Sequence, residues 1–126
     1  MEKINRETIK DFRERFPDAP RAHRMAFKRL LSIADQEGLH VRILPLKGYR
    51  ALIYLDRIGI AEGLTDGQMI YDLAHELGHY IDGCGNILML PSDDEYKKNC
   101  ERKADQTAKI LLMAMGFSDQ EISAWA

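Results

Sequence analysis

Only one stretch of this chain carries the period of β-strands, and it is short. Between Leu39 and Ala61 the residues run His40-Val41-Arg42-Ile43-Leu44-Pro45, then Ala51-Leu52-Ile53-Tyr54-Leu55, then Ile58-Gly59-Ile60-Ala61, with turn signals at Gly48 and near Asp56. On both sides the apolar residues recur at helical spacing. Two or three short strands thus lie between long helical segments. They predict an α+β fold, a small sheet with helices segregated around it. The connections are a few residues long, and a parallel crossover needs a dozen or more, so the strands are expected to pair antiparallel. Pro45 predicts an edge strand or a strand end.

The helices announce their own limits. Ile9, Phe12 and Phe16 share one face of a helix from Arg6 to Phe16, ended by Pro17-Asp18-Ala19-Pro20. A second runs from about Pro20 to Gln36, with Met25, Phe27, Leu30, Leu31 and Ala34 available to the core and Gly38 as its stop. Beyond the strands, capping boxes at Thr65/Gln68, Ser92/Glu95 and Ser118/Glu121 begin three more helices. Gly83 and Gly116 close the first two, and Ala126 ends the third. The expected organisation is one domain over residues 1–126: N-terminal helices in 1–38, the sheet in 39–62, then helices in 65–83, 92–115 and 118–126.

A content of 45% hydrophobic and 30% charged residues is that of an ordinary water-soluble domain. No apolar run approaches the ~20 residues of a membrane span, and Met1-Glu2-Lys3-Ile4-Asn5-Arg6 lacks the apolar stretch of a secretory signal. A cytoplasmic protein is therefore expected, with Cys84 and Cys100 as free thiols acting as small buried hydrophobes. The net charge of -2 conceals an asymmetry: residues 1–30 carry nine Lys/Arg against five Asp/Glu, residues 61–126 five against twelve. Such a bias can steer an acidic partner, although cations mixed with acids on helices are ordinarily a solvated face. Neither nucleic-acid nor membrane binding is expected.

Chemistry enters in the helix that starts near Thr65. His75 and His79 are four residues apart, so both imidazoles project from one face and can grip one metal ion. Glu76, inside the His-Glu-x-x-His pattern, is placed to take a proton from water activated by that metal and to pass it to a leaving amine. The neighbours Met69, Ile70, Leu73, Ala74 and Leu77 make this the central buried helix. An interior helix gains little from two imidazoles unless a ligand satisfies them. Gly78, a mid-helix glycine costing ~1 kcal/mol relative to alanine, predicts the close approach of another chain segment.

A catalytic zinc needs a third protein ligand and an open fourth position. Glu101, 22 residues beyond His79 on the next predicted helix, is the candidate, with Asp105 one turn further on the same face. A helical hairpin joined by the Gly83–Pro91 loop brings that face to the histidines. Asp105 is then expected to accept a hydrogen bond from the non-ligating nitrogen of a zinc-bound histidine. Cys100 points about 100° away from Glu101 on the helix, which argues against a thiolate ligand.

His75-Glu76-Leu77-Gly78-His79, followed by Glu101-x-x-Ala104-Asp105-x-x-Ala108-x-x-Leu111-Leu112-Met113, resembles the ImmA/IrrE family of zinc metallopeptidases over roughly residues 39–115. The resemblance implies Zn2+ held by His75, His79 and Glu101, Glu76 as general base and Asp105 behind the ligands, on a zincin-like helical pair. Members of that family are typically encoded beside helix-turn-helix repressors of phages and mobile elements, and several cleave or inactivate the repressor. The expected function is thus zinc-dependent hydrolysis of a peptide bond in a protein substrate, a transcriptional repressor. The alternative is a zinc-stabilised regulatory module that grips the repressor without cutting it. Some members carry a DNA-binding domain, for which the residues before the first strand offer too few helices. Members often place polar residues after the second histidine, whereas Tyr80-Ile81-Asp82-Gly83-Cys84 stands here and leaves the group polarising the scissile carbonyl unassigned. Tyr71, Tyr80, Tyr96 and His40 are available for it, and packing or surface roles account for each. Substrate is expected to enter extended, pairing with an exposed strand edge such as Ile58–Ala61.

Overall fold

The computed structural model describes residues 4–84 and 94–126. Helices α1 (Arg6–Arg15) and α2 (Arg21–Gln36) precede strands β1 (His40–Leu44), β2 (Ala51–Tyr54) and β3 (Arg57–Ala61). Helices α3 (Asp66–Ile81), α4 (Asp94–Ala114) and α5 (Asp119–Trp125) follow. The class is α+β.

The first helix is pinned by a buried polar residue. Asn5, just before α1, donates from its amide nitrogen to Asp35 Oδ1 (2.7 Å) and to the Leu39 carbonyl (2.9 Å), and its oxygen accepts from the Val41 N–H (2.7 Å). One side chain thereby ties the start of α1 to the end of α2 and the start of β1. Phe12 stacks on Phe27 with ring centroids 4.1 Å apart, closing α1 over the buried face of α2, which is formed by Ala26, Phe27, Leu30, Leu31 and Ala34. Met25, expected in that core, is instead 42% exposed, because it lies on the helix face opposite this stripe.

The sheet corrects the pairing expectation. Its order is β1-β3-β2, with β3 antiparallel to β2 but parallel to β1 in the register His40↔Arg57 to Leu44↔Ala61. The crossover from β1 to β3 is the whole of residues 45–56, which contains β2 itself, so the length rule for parallel connections is met by counting past the intervening strand. As a result β3 is central, and Ile58–Ala61 is not an exposed edge. Among the described residues the unpaired edges belong to β1, which stops just before Pro45, and to β2. Val41, Ile43, Ile53, Ile58 and Ile60 are buried.

Helix α3 starts at a full capping box, Thr65 accepting from the Gln68 N–H while the Gln68 side chain accepts from the Thr65 N–H. Met69, Ile70, Leu73, Ala74 and Leu77 are buried, the last four completely. Gly83 (φ 78°) and Gly116 (φ 98°) end α3 and α4 in the left-handed region, where a side chain is strained. The Ser118/Glu121 box opens α5, and the Ser92 box lies outside the described residues.

At Gly78 the backbone of α4 packs tightly against α3. A Cβ built on it would meet the Ala104 carbonyl oxygen at 2.9 Å and the Ala104 Cα at 3.1 Å, both backbone atoms with little room to give. Gly78→Ala gains ~1 kcal/mol of helix propensity but forces α4 outward, at a cost of about 1–3 kcal/mol. The expected outcome is a net loss of stability on the order of 1 kcal/mol in denaturant titrations, together with weaker metal binding, because α4 carries Glu101.

Cys84 and Cys100, expected as free thiols, are joined in a disulfide across a Cα–Cα distance of 6.0 Å. Both are buried, as expected. Close packing of α4 on the end of α3 brings them together, a contact invisible in their sequence separation of 16. Disulfides persist in oxidising surroundings. The two cysteines therefore no longer support a cytoplasmic assignment. No helix among the described residues is long and apolar enough to cross a membrane.

Candidate metal centre

His75 and His79 sit one turn apart on α3, their rings edge to face with centroids 4.7 Å apart. Helix α4 delivers Glu101 opposite them. Its Oε2 lies 3.0 Å from His75 Nε2 and its Oε1 3.0 Å from His79 Nε2. The three donors lie within 4.8 Å of one another. A tetrahedral zinc with ligands at ~2.0–2.1 Å requires donor atoms about 3.3 Å apart, and the two nitrogen–oxygen distances of 3.0 Å are close to that spacing. The set also fits in chemistry: two imidazoles and one carboxylate form a borderline, zinc-type set.

The electrostatics follow from burial and proximity. Hydrogen bonds from both histidines hold Glu101 well below the usual carboxylate range, so it stays ionised. Burial works against a charged His75, yet Glu101, Glu76 and Asp105 together raise its pKa. Glu76 is only 6% exposed, and burial pushes its pKa up to about 7 despite the two histidines, with Glu101 and Asp72 adding to the rise. A carboxyl poised there can both take and return a proton near neutrality. A divalent ion beside it would draw that value back down.

Asp105 Oδ1 lies 2.8 Å from His75 Nδ1 and accepts a hydrogen bond from the Tyr71 hydroxyl at 2.9 Å. The approach to His75 is close but out of line with the ring N–H, so His75 Nδ1, like that of the almost fully buried His79, has no directed hydrogen bond among the described residues. The Tyr71 proton is bound up with Asp105, and burial raises its pKa, which makes it a brace for that carboxylate and a poor electrophile. Tyr80 reaches toward Glu37. If Asp105 orients His75, Asp105→Ala should reduce metal affinity about 10–100-fold with helix content unchanged. Competition against a chromogenic chelator measures it, and an unchanged affinity would make Asp105 a solvated charge.

Sequence reasoning missed an ion pair at the rim. Asp72, nearly buried one turn before Glu76, accepts from Arg50 Nε at 2.9 Å, and Arg50 Nη2 donates to the Trp125 carbonyl at 2.6 Å. Burial raises the Asp72 pKa, and Arg50 opposes the rise. Asp72 could have been found as the acid breaking an apolar stretch of α3. Arg50 carried no such signal. Both line a cavity of about 390 Å³ with the three candidate ligands, Glu76 and residues 51–53 of β2. That size is within the range of ligand pockets.

The model of the Peptidase_M78 family, the IrrE N-terminal-like domain, matches residues 34–117, two-thirds of the chain. The chain belongs to this family. The matched span of this M78-type metallopeptidase domain runs from the end of α2 through α4, and so takes in the sheet, the His-Glu-x-x-His helix and Glu101. Helix α1 and most of α2 precede it. No curated protein and no solved structure matches the chain.

Proposed function

We propose that this member of the family is a zinc-dependent endopeptidase whose substrate is a protein, a helix-turn-helix repressor of a phage or mobile element. The observation that carries the hydrolytic reading is the convergence of His75, His79 and Glu101 beside a buried Glu76 on one open cavity. The repressor as substrate, and with it the cytoplasm as location, rests on the family resemblance. His75 and His79 would hold the ion through Nε2 and Glu101 through its carboxylate. Bound zinc supplies Lewis acidity, which polarises a carbonyl and lowers the pKa of water. The chain's own residues do the rest. Glu76 accepts the proton released by the attacking water and returns it to the leaving nitrogen. Strand β2, unpaired on its outer side, lines the cavity through Ala51, Leu52 and Ile53 and offers backbone groups to an extended substrate. Arg50 anchors that strand to α3 through Asp72.

The test is an intact-mass assay with purified repressor from the same genetic neighbourhood. Zinc-loaded protein should cut it into two fragments whose masses sum to the parent plus one water, and chelator should abolish the cut. A repressor that stays whole while its DNA binding is relieved would favour a gripping module.

A further inference from the structure

Of the three candidate donors only Glu101 comes from α4, and its neighbour in the chain is half of the disulfide. Cys100 directly precedes it. Cys84 lies just beyond His79, past the end of α3, and donates its N–H to the His79 carbonyl at 2.8 Å. The bond thus joins the chain at one ligand to the chain at another. We infer that the Cys84–Cys100 disulfide is a redox-dependent clamp on the metal centre: closed, it holds Glu101 against His75 and His79; reduced, it lets this part of α4 come away and weakens metal binding. The inference rests on the reading of these three residues as metal ligands.

Burial along α4 explains why a clamp acts there. From Glu95 to Lys103 the only buried residue is Cys100; Lys97 is half-buried and the others are exposed. The remainder of the helix is held by packing, through Ala104, Ala108 and Leu112, which are completely buried, and by the Thr107 hydroxyl, which donates to Asp82 Oδ2 at 3.1 Å. Glu101 falls on the poorly held side of that boundary. Helical turns that bury almost nothing are marginal in water and open locally at little cost. A covalent link at Cys100 restricts the opening at the position next to the ligand. Neither cysteine is itself among the donors, so the bond acts on the metal through the placement of Glu101. Oxidising surroundings keep such a bond closed and reducing ones open it.

The test reads zinc affinity of the full chain by competition with a chromogenic chelator. Protein incubated with glutathione disulfide should have no free thiol, the reagent being reduced to two thiols as the S–S bond forms. A water-soluble trialkylphosphine then opens the bond: phosphorus takes the oxygen of one water and becomes a phosphine oxide, and the two hydrogens of that water complete the thiols of Cys84 and Cys100. Zinc affinity should drop about 10–100-fold, with little change in helix content by circular dichroism. Cys84→Ser combined with Cys100→Ser should bind as weakly as the reduced protein and ignore the phosphine. Glu101→Ala separates a clamp from a general staple. With no carboxylate left to position, its residual affinity should respond to the phosphine by no more than about twofold. An equal drop in both backgrounds would mean that the disulfide merely stabilises the fold, and would overturn the inference. So would two thiols that persist after glutathione disulfide. Tighter zinc binding on reduction, with a thiolate-to-metal charge-transfer band when cobalt(II) replaces zinc, would make the cysteines ligands and overturn it as well. Oxidised protein that binds zinc and ignores the phosphine sinks the clamp alone, whereas oxidised protein that binds no zinc sinks the metal centre with it.

Discussion

Glu76→Gln is expected to lower peptide hydrolysis roughly 10²–10⁴-fold while leaving zinc content and fold as in wild type. Glu76 is a neighbour of the three donors and not one of them, so the substitution removes a proton acceptor and keeps the metal. Its effect on stability has a definite sign. Burial raises the Glu76 pKa from 4.5 to about 7 in the folded, metal-free protein. Ionisation therefore opposes folding: the penalty sets in as pH rises above the ordinary carboxylate range and is complete above about 7. A neutral amide of the same shape escapes it, so metal-free Glu76→Gln should melt no lower than wild type at neutral pH. Steady-state cleavage of the proposed repressor substrate, read with zinc content, checks the claim. A variant that retains zinc and still cuts at the wild-type rate would remove Glu76 from the mechanism.

The second large effect is on the metal. Glu101→Ala should weaken zinc binding by ~100-fold or more, since it takes away the only carboxylate among three donors. It is the cleanest of the ligand substitutions. The Glu101 side chain is 48% exposed, so truncation leaves little cavity, whereas His79 is 1% exposed and its removal damages packing as well. Without the carboxylate, two imidazoles face each other with nothing to balance the charge of the ion. Zinc binding also stabilises the native state by mass action, so the rise in melting temperature on adding zinc should shrink in Glu101→Ala. Full zinc occupancy in this variant, with loss in Glu95→Ala, would show that α4 contributes a different ligand.

Much of the candidate site was legible because its signals are local. The four-residue interval from His75 to His79 is one helical turn, and the Thr65/Gln68 box and Gly83 bound that helix through interactions within a few residues. Gly78 was an indirect signal of a long-range contact, since a costly residue in a buried helix needs a neighbour to justify it, and Ala104 is that neighbour.

What the sequence by itself determined, then, is each element whose cause lies within a turn or two of the chain: the helices, their stops, the strand-forming stretch, and the face shared by the two histidines. Tertiary structure alone decided which segments meet. The parallel pairing of β1 with β3, the Cys84–Cys100 bond and the Arg50–Asp72 pair all join residues whose partners are chosen by competition for burial across the whole fold. Hydrophobic period shows which face a segment buries but not what it is buried against. That is why β2, and not the Ile58–Ala61 segment, is the free edge beside the metal centre.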